Sequence, residues 1–221
     1  MSVMHVPDGL LDTKIWTASL ALSAGAIGLA ARRAGQELQE RQVPTLGVMA
    51  AFVFAAQMVN FPVPGGTSGH LLGAALAALT LGPWAATLVM TAVLVIQAFF
   101  FGDGGVTALG ANVLTMGVVA PWTAHASHRS LRRLWKGPRG GSVARFVAAW
   151  VSVEAAALVI ALMLAASGYV PLALALGALL GWHALIGAGE GLITVAVLTY
   201  LHRLLPEDAG SARPMLRGDG V

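Results

Sequence analysis

Apolar residues run along this chain in blocks of membrane length, and polar residues collect in the short gaps between them. Apolar length and Gly/Pro breaks predict helices over about 13–32, 44–60, 68–82, 84–101, 106–126, 143–167 and 177–202. The third is short, and Pro83 separates it from the fourth with almost no loop. Gly168-Tyr169-Val170-Pro171 ends the sixth. The pattern is that of an all-α membrane protein, a bundle of seven transmembrane helices. Residues 1–205 make one integral membrane domain, and 206–221 make a polar tail. Chain ends are commonly loose. Here, however, Val6, Leu10, Leu11 and Ile15, with Pro7 and Gly9 among them, predict an opening segment that folds down onto the bundle.

The cations give the bundle a direction. Arg32, Arg33 and Arg41 follow the first helix. Arg129, Arg132, Arg133, Lys136, Arg139 and Arg145 lie between the fifth and sixth, and Arg203, Arg213 and Arg217 follow the seventh. Seven spans put these regions on one face, which the positive-inside rule makes cytoplasmic. The N-terminus is then outside and the C-terminus cytoplasmic, and only Lys14 falls on the wrong side. An even number of spans would scatter the cations. The outer face therefore gathers the N-terminus, the 60–70 loop, the 101–105 turn and the Gly168 turn. His5 and His70, far apart in sequence, fall on the same side.

Composition agrees with lipid contact. Only 10% of the residues are charged, against about 25% in a soluble domain. A pI near 10 invites a nucleic-acid reading, but the cations sit in short loops where topology explains them. There are no cysteines, so any metal site must use nitrogen and oxygen. The stretch before the first helix holds Asp8 and Asp12 with Lys14 as its one cation, unlike the basic start of a secretory signal. The chain has no phosphate-cradling Gly-x-x-x-x-Gly-Lys-Ser/Thr loop, no His-Glu-x-x-His and no Gly-x-Ser-x-Gly. Recognised hydrolase motifs and an ATPase site in this chain are thereby left aside.

Candidate chemistry concentrates on the outer face. His70 closes Asn60-Phe-Pro-Val-Pro-Gly-Gly-Thr-Ser-Gly-His70 at the predicted start of the third helix. A lone histidine there ordinarily belongs to a cap, with Thr67 or Ser68 as the capping hydroxyl. The stiff Pro-x-Pro-Gly-Gly run, Asn60 before it and the second outer histidine favour a ligand. An amine, an intervening amide and an imidazole near a chain start form fused chelate rings, a planar nitrogen field suited to Ni(II) or Cu(II). His5 meets that need if the chain begins at Met4; Met1, Ser2 and Val3 put the amine too far away. Glu154 lies mid-helix in the sixth span, and His183 and Glu190 lie two turns apart on one face of the seventh. Ionisable groups at that depth are functional candidates. They either pair to hold helices together or tune the metal histidines from behind. Asp103, in Phe101-Gly-Asp-Gly-Gly105, fits a tight turn, while Gln97 and Asn112 can hydrogen-bond into the same outer cavity. The 129–145 loop with Trp135 reads as an interfacial anchor, or as a docking surface for a cytoplasmic partner. Ala26-xxx-Ala30 and Ala51-xxx-Ala55 permit close helix approach.

At these residues the sequence resembles the membrane substrate-binding M subunit of cobalt/nickel energy-coupling-factor transporters, the CbiM/NikM family. The resemblance rests on Met4-His5-Val6-Pro7-Asp8-Gly9, the long run from Asn60 through His70 to Gly73, and Leu81-Gly-Pro-Trp84. It extends through Phe101-Gly-Asp-Gly-Gly105, Ala108-Leu-Gly-Ala-Asn112, His183-Ala-Leu-Ile-Gly187 and Glu190-Gly-Leu-Ile-Thr194, about 4–202 in all. It implies seven helices, the extra N-terminal one carrying the chain start into an outer pocket. It implies Ni(II) or Co(II) as substrate, held by the Met4 amine, the His5 amide and imidazole, and the His70 imidazole. Residues 1–3 depart from the family pattern. The implied partners are a transmembrane coupling (T/Q) subunit, cytoplasmic ATPase subunits and a small membrane N subunit, in a prokaryotic inner membrane. Ala51 and Ala55 resemble the alanine motif that docks on the coupling protein. The chain itself is then no enzyme. The rival from another class is an autonomous channel or proton-coupled cation carrier, using Glu154, His183 and Glu190 as its path.

Overall fold

The computed structural model describes residues 5–59, 61–63 and 67–204. Met4, Asn60 and the 206–221 tail lie outside the described residues, as do the side chain of Ser68 and the end of the 1–205 domain. The fold is helical, with one small hairpin. Helix α1 spans Thr13–Glu37 and α2 spans Val43–Gln57, joined through a 3-10 turn at Glu40–Gln42. Strands β1 (Phe61–Val63) and β2 (Thr67–Gly69) pair antiparallel, and α3 (Ala74–Leu81) and α4 (Pro83–Ile96) follow. Helix α4 runs on as a π-helical turn, Gln97–Phe101. A second continuous rod is assembled from α5 (Leu109–Asn112), a π-helical segment Val113–Val119 and α6 (Ala120–Leu134). Helices α7 (Gly137–Ala166) and α8 (Leu172–Leu204) complete the chain.

Four helical stretches among the described residues are long and apolar enough to cross a membrane: Thr13–Glu37, Pro83–Phe101, Arg139–Ala166 and Leu172–Arg203. The others are too short or too polar to qualify by that measure, though they pack as part of the same body. Helix α3, at 8 residues, is buried along its length because Ala74, Ala75, Ala77 and Ala78 let neighbours approach. Helix α1 is the opposite case. It buries mainly small residues, Ser19, Ser23, Ala30 and Ala34, and leaves Leu20, Leu22 and Leu29 exposed. An exposed leucine stripe of this kind suits lipid rather than water.

Three expectations need correction. The third helix begins at Ala74, not 68: residues 67–69 pair as β2, and the helix is capped by Gly73 in the left-handed region (φ 74°), so Thr67 and Ser68 are not its caps. The stretch expected as a 129–145 loop is helical, with α6 ending at Leu134 and α7 starting at Gly137. Arg132 Nη1 closes the tight turn between them by donating to Trp135 O and Gly137 O at 3.3 and 3.2 Å. Helix α8 begins at Leu172 rather than 177, the turn at Gly168 (φ 70°) being enough to reverse the chain.

Helices α1 and α5 approach closely. Ser23 Oγ donates to Gly110 O at 2.6 Å, and a Cβ on Gly110 would overlap the Leu20 backbone, with Leu20 N 2.6 Å away. Gly177, in contrast, has open space around it. Gly110→Ala is therefore expected to destabilise the protein by about 1–3 kcal/mol and to lower its unfolding midpoint in detergent by several degrees. Gly177→Ala, an ordinary helix substitution, should leave the midpoint unchanged or raise it.

Candidate metal centre

The opening segment does fold down. Val6 is buried with Ala108, Ala157 and Ile160, and Leu10 and Leu11 pack beside it. Its backbone is gripped on both polar edges by one side chain. Val6 N donates to Asn112 Oδ1 at 2.8 Å, and Asn112 Nδ2 donates to Val6 O at 3.1 Å. Gly105 N donates to the same Val6 O at 2.9 Å. Ordering a chain end costs about 1–2 kcal/mol per residue, and three hydrogen bonds contribute about 1 kcal/mol each. The clasp therefore needs more anchorage, and Asp8 supplies it. Its carboxylate accepts from Val106 N (3.2 Å), Thr107 N (2.7 Å) and Thr107 Oγ1 (2.5 Å), which hold its pKa below the ordinary carboxylate value. Asp12 N donates to Ser167 Oγ at 3.0 Å.

Close approach requires glycine on the opposing turn. A Cβ on Gly105 would overlap Asp8 and sit 2.7 Å from the Pro7 carbonyl carbon. At Gly104 (φ 96°) it would meet Asn112 Nδ2 at 3.1 Å and His5 Cβ at 3.3 Å. The turn that carries these glycines follows the π-helical segment Gln97–Phe101 and leads into α5, which runs on into the second π-helical segment, Val113–Val119. Such bulges recur at functional sites because they re-aim side chains within a helix.

The clasp sets His5 against His70. Their ring centroids lie 4.7 Å apart at 43°, and the residues are 1% and 0% exposed. His5 Nδ1 is 2.9 Å from Asp103 Oδ1. His70 Nδ1 lies 2.9 Å from Leu71 O, which it reaches as a donor, leaving Nε2 as the free lone pair. Burial, aided by the neighbouring His5, pushes the His70 pKa down to about 4, so the ring is neutral at physiological pH. The His5 ring holds the Asp103 carboxyl below its usual range.

Several buried polar atoms here have no hydrogen-bond partner among the described residues: His5 Nε2, His70 Nε2, Asp103 Oδ2 and both amide atoms of Gln97. Buried polar groups are nearly always satisfied, so their gathering at one spot points to something bound there. Gln97 lies beside this turn, its main-chain carbonyl accepting from Asp103 N at 3.0 Å. No group of three or more His, Cys, Asp or Glu side chains among the described residues is arranged to hold a metal ion.

The remaining residues divide clearly. Asn112 holds the chain start. Asp103 is both a turn residue and a contact of His5. Glu190, 3% exposed, accepts from Leu72 N and Gly73 N at 3.0 and 2.7 Å, so it grips the loop just after His70. His183 is buried, with Nδ1 donating to Leu179 O at 2.6 Å, and it contributes to the electrostatic field at His70. Glu154 is partly buried, and its Oε1 has no partner among the described residues. Ala51 and Ala55 are exposed on α2, away from the centre. The residue that composition and motif did not single out is Gln57, whose Nε2 donates to Leu72 O at 2.6 Å. Its placement on the α2 face of Met49 and Val53 was readable, but its polar contact was not.

Comparison with known proteins places this geometry. Residues 5–207 match the family described as the cobalt uptake substrate-specific transmembrane region, CbiM. A Haloquadratum walsbyi protein named for metal transport is 42% identical over 208 residues, covering 92% of each chain. The cobalt transport protein CbiM of Sorangium cellulosum is 34% identical, covering 92% of this chain and 93% of its own. The crystal structure of a transition metal transporter superposes with a TM-score of 0.84 at 32% identity, over 98% of this chain and all of that one. This chain belongs to the CbiM family of cobalt/nickel uptake proteins, as a multi-pass transmembrane transport component rather than an enzyme.

Proposed function

We propose that the chain is the metal-capture subunit of an ATP-driven importer of the energy-coupling-factor type, and that Ni(II) or Co(II) binds between His5 and His70. The observation that carries this is the meeting of two buried imidazoles from distant parts of the chain, with His70 Nε2 unpartnered and His5 Nδ1 2.9 Å from the Asp103 carboxylate. His70 offers Nε2. His5 offers its amide nitrogen and Nδ1, and the amine of Met4 closes the planar set. Nδ1 faces Asp103 in this structure, so loading exchanges that contact for the dication and leaves the carboxylate to offset its charge. A mature protein that begins at Met4 supplies the amine directly. Gln97 fits the role of a hydrogen-bond partner inside the pocket, and Asn60 and Ser68 are further pocket candidates on sequence grounds.

The proposed topology has seven spans, the N-terminus outside and the cationic ends of α1, α6 and α8 cytoplasmic, in a prokaryotic inner membrane. Residues 206–221 are a cytoplasmic tail. The partners are a coupling subunit of the T/Q type, separate cytoplasmic ATPase subunits and a small membrane N subunit. The fused nickel transport protein NikMN of Rhodobacter capsulatus supports the last, since this chain spans 63% of its length. Ala51 and Ala55, with Val48 and Phe52 beside them on the exposed face of α2, suit docking on the coupling subunit. The channel or proton-carrier alternative loses support because both Glu190 oxygens are already engaged by Leu72 and Gly73 amides.

Calorimetry with Ni(II) and Co(II) on protein beginning at Met4 tests the site. His5→Ala and His70→Ala are each expected to weaken binding by about a hundredfold or more, since each removes a ligand and about 2.7 kcal/mol corresponds to that factor. Unchanged binding in both refutes it. Protein that retains residues 1–3 should bind roughly tenfold or more weakly than protein starting at Met4; equal affinity would exclude the amine. Reconstituted alone in liposomes, the chain should carry no metal flux. Flux without an ATPase would establish the channel alternative.

A further inference from the structure

The loop that presents His70 is held from two sides by residues outside the proposed metal shell. From α2, Gln57 Nε2 donates to Leu72 O at 2.6 Å. From α8, Glu190 takes the N–H groups of Leu72 and Gly73 at 3.0 and 2.7 Å. Both polar main-chain atoms of Leu72 are therefore held. Gly73 adopts φ 74°, and a Cβ there would meet Val53 of α2 at 3.0 Å, so the loop is also wedged against the helix that carries Gln57. His70 stands two residues before this anchor, and its ring is turned by the bond to Leu71 O. The orientation of the ring is thus set by the same short backbone that Gln57 and Glu190 fix.

Gln57 is a costly choice for this place. It is 0% exposed, and its Oε1 has no hydrogen-bond partner among the described residues. The rest of its buried stripe is Met49 and Val53. An apolar side chain of similar volume would avoid the unsatisfied oxygen. An amide kept here serves the loop rather than the core.

We propose that Gln57 is a positioning residue for the metal ligand His70, acting with Glu190 to fix the loop between α2 and α8. The inference rests on the metal site assigned above. It also links the exposed face of α2, with Val48 and Phe52, to the metal.

The test is Ni(II) titration and visible d–d absorption of Gln57→Met, Glu190→Asp and His70→Ala beside the wild type, with detergent unfolding of each metal-free protein. Gln57→Met removes the donor at nearly constant volume. It is expected to bind Ni(II) about tenfold more weakly and to shift the d–d band, while metal-free unfolding stays within a few degrees of wild type. Glu190→Asp keeps both acceptors but withdraws them by one methylene, and should shift the band in the same sense. Wild-type affinity with an unshifted band in Gln57→Met and Glu190→Asp overturns the inference, as does weaker binding with an unshifted band, which marks general loosening. If His70→Ala itself retains wild-type affinity, the metal site fails and this role fails with it. If His70→Ala loses binding while Gln57→Met does not, the site stands and only the positioning role falls.

Discussion

The structure depends on a two-way hydrogen bond between a side-chain amide and a backbone: Asn112 accepts from Val6 N and donates to Val6 O. An asparagine amide is one of the few groups that can satisfy both polar edges of a single residue. Its geometry fixes the strand-like opening segment in register as well as in place. A shift of one residue would turn Val6 out of its apolar seat and His5 away from His70. The surrounding devices support this register. Asp8 is tied to the 106–107 backbone, Gly105 leaves room for Pro7 and Asp8, and Gly105 N adds a second donor to Val6 O.

Around the clasp, the helices work mainly as a frame. Small residues let α1 lie against α5 and let α3 sink into the core, which brings the start of the chain and the 70–73 loop to one end of the bundle. Polar groups that a membrane interior would make expensive are used where backbone leaves regular structure. Glu190, Gln57 and Asn112 each hydrogen-bond to main chain outside a helix ladder. Non-helical backbone is tolerated at such depth only when protein groups satisfy it. The cost is local, and the result is a loop and a strap held so that two imidazole rings meet 4.7 Å apart at a tilt of 43°. The unsatisfied atoms of His5, His70, Asp103 and Gln97 are what the frame leaves over.

Much of this was legible in the sequence. Apolar blocks located each helix, but the ends differ, most of all for α6, which runs to Leu134 rather than 126. The apolar residues among Pro7 and Gly9 showed that the start would fold down, and the topology of the cations put His5 and His70 at one end. The apolar neighbours of Ser68 and Gly69 suggest an earlier start for the third helix, whereas Thr67–Gly69 pairs with Phe61–Val63 as strand and Gly73 sets the cap. The 129–145 segment was read as loop because its charge hides a helical period, and the closing contact of Arg132 with the turn carbonyls has no sequence signature. Glu190 stands out in the sequence as a buried ionisable group with two open roles, pairing between helices or support of the metal histidines from behind. Its true acceptor role toward Leu72 and Gly73 depends on a long-range approach of α8 to the 70–73 loop, which no periodicity reports. Gln57 was missed for the same reason.

The central claim is that the tucked chain start and the His70 loop together form one nitrogen-rich cup for a dication. X-ray absorption at the nickel edge of the loaded protein reads the shell directly. The account predicts a four-coordinate planar set of nitrogen ligands with the outer-shell scattering of two imidazoles. A six-coordinate, oxygen-dominated shell, or scattering from a single imidazole, would contradict it.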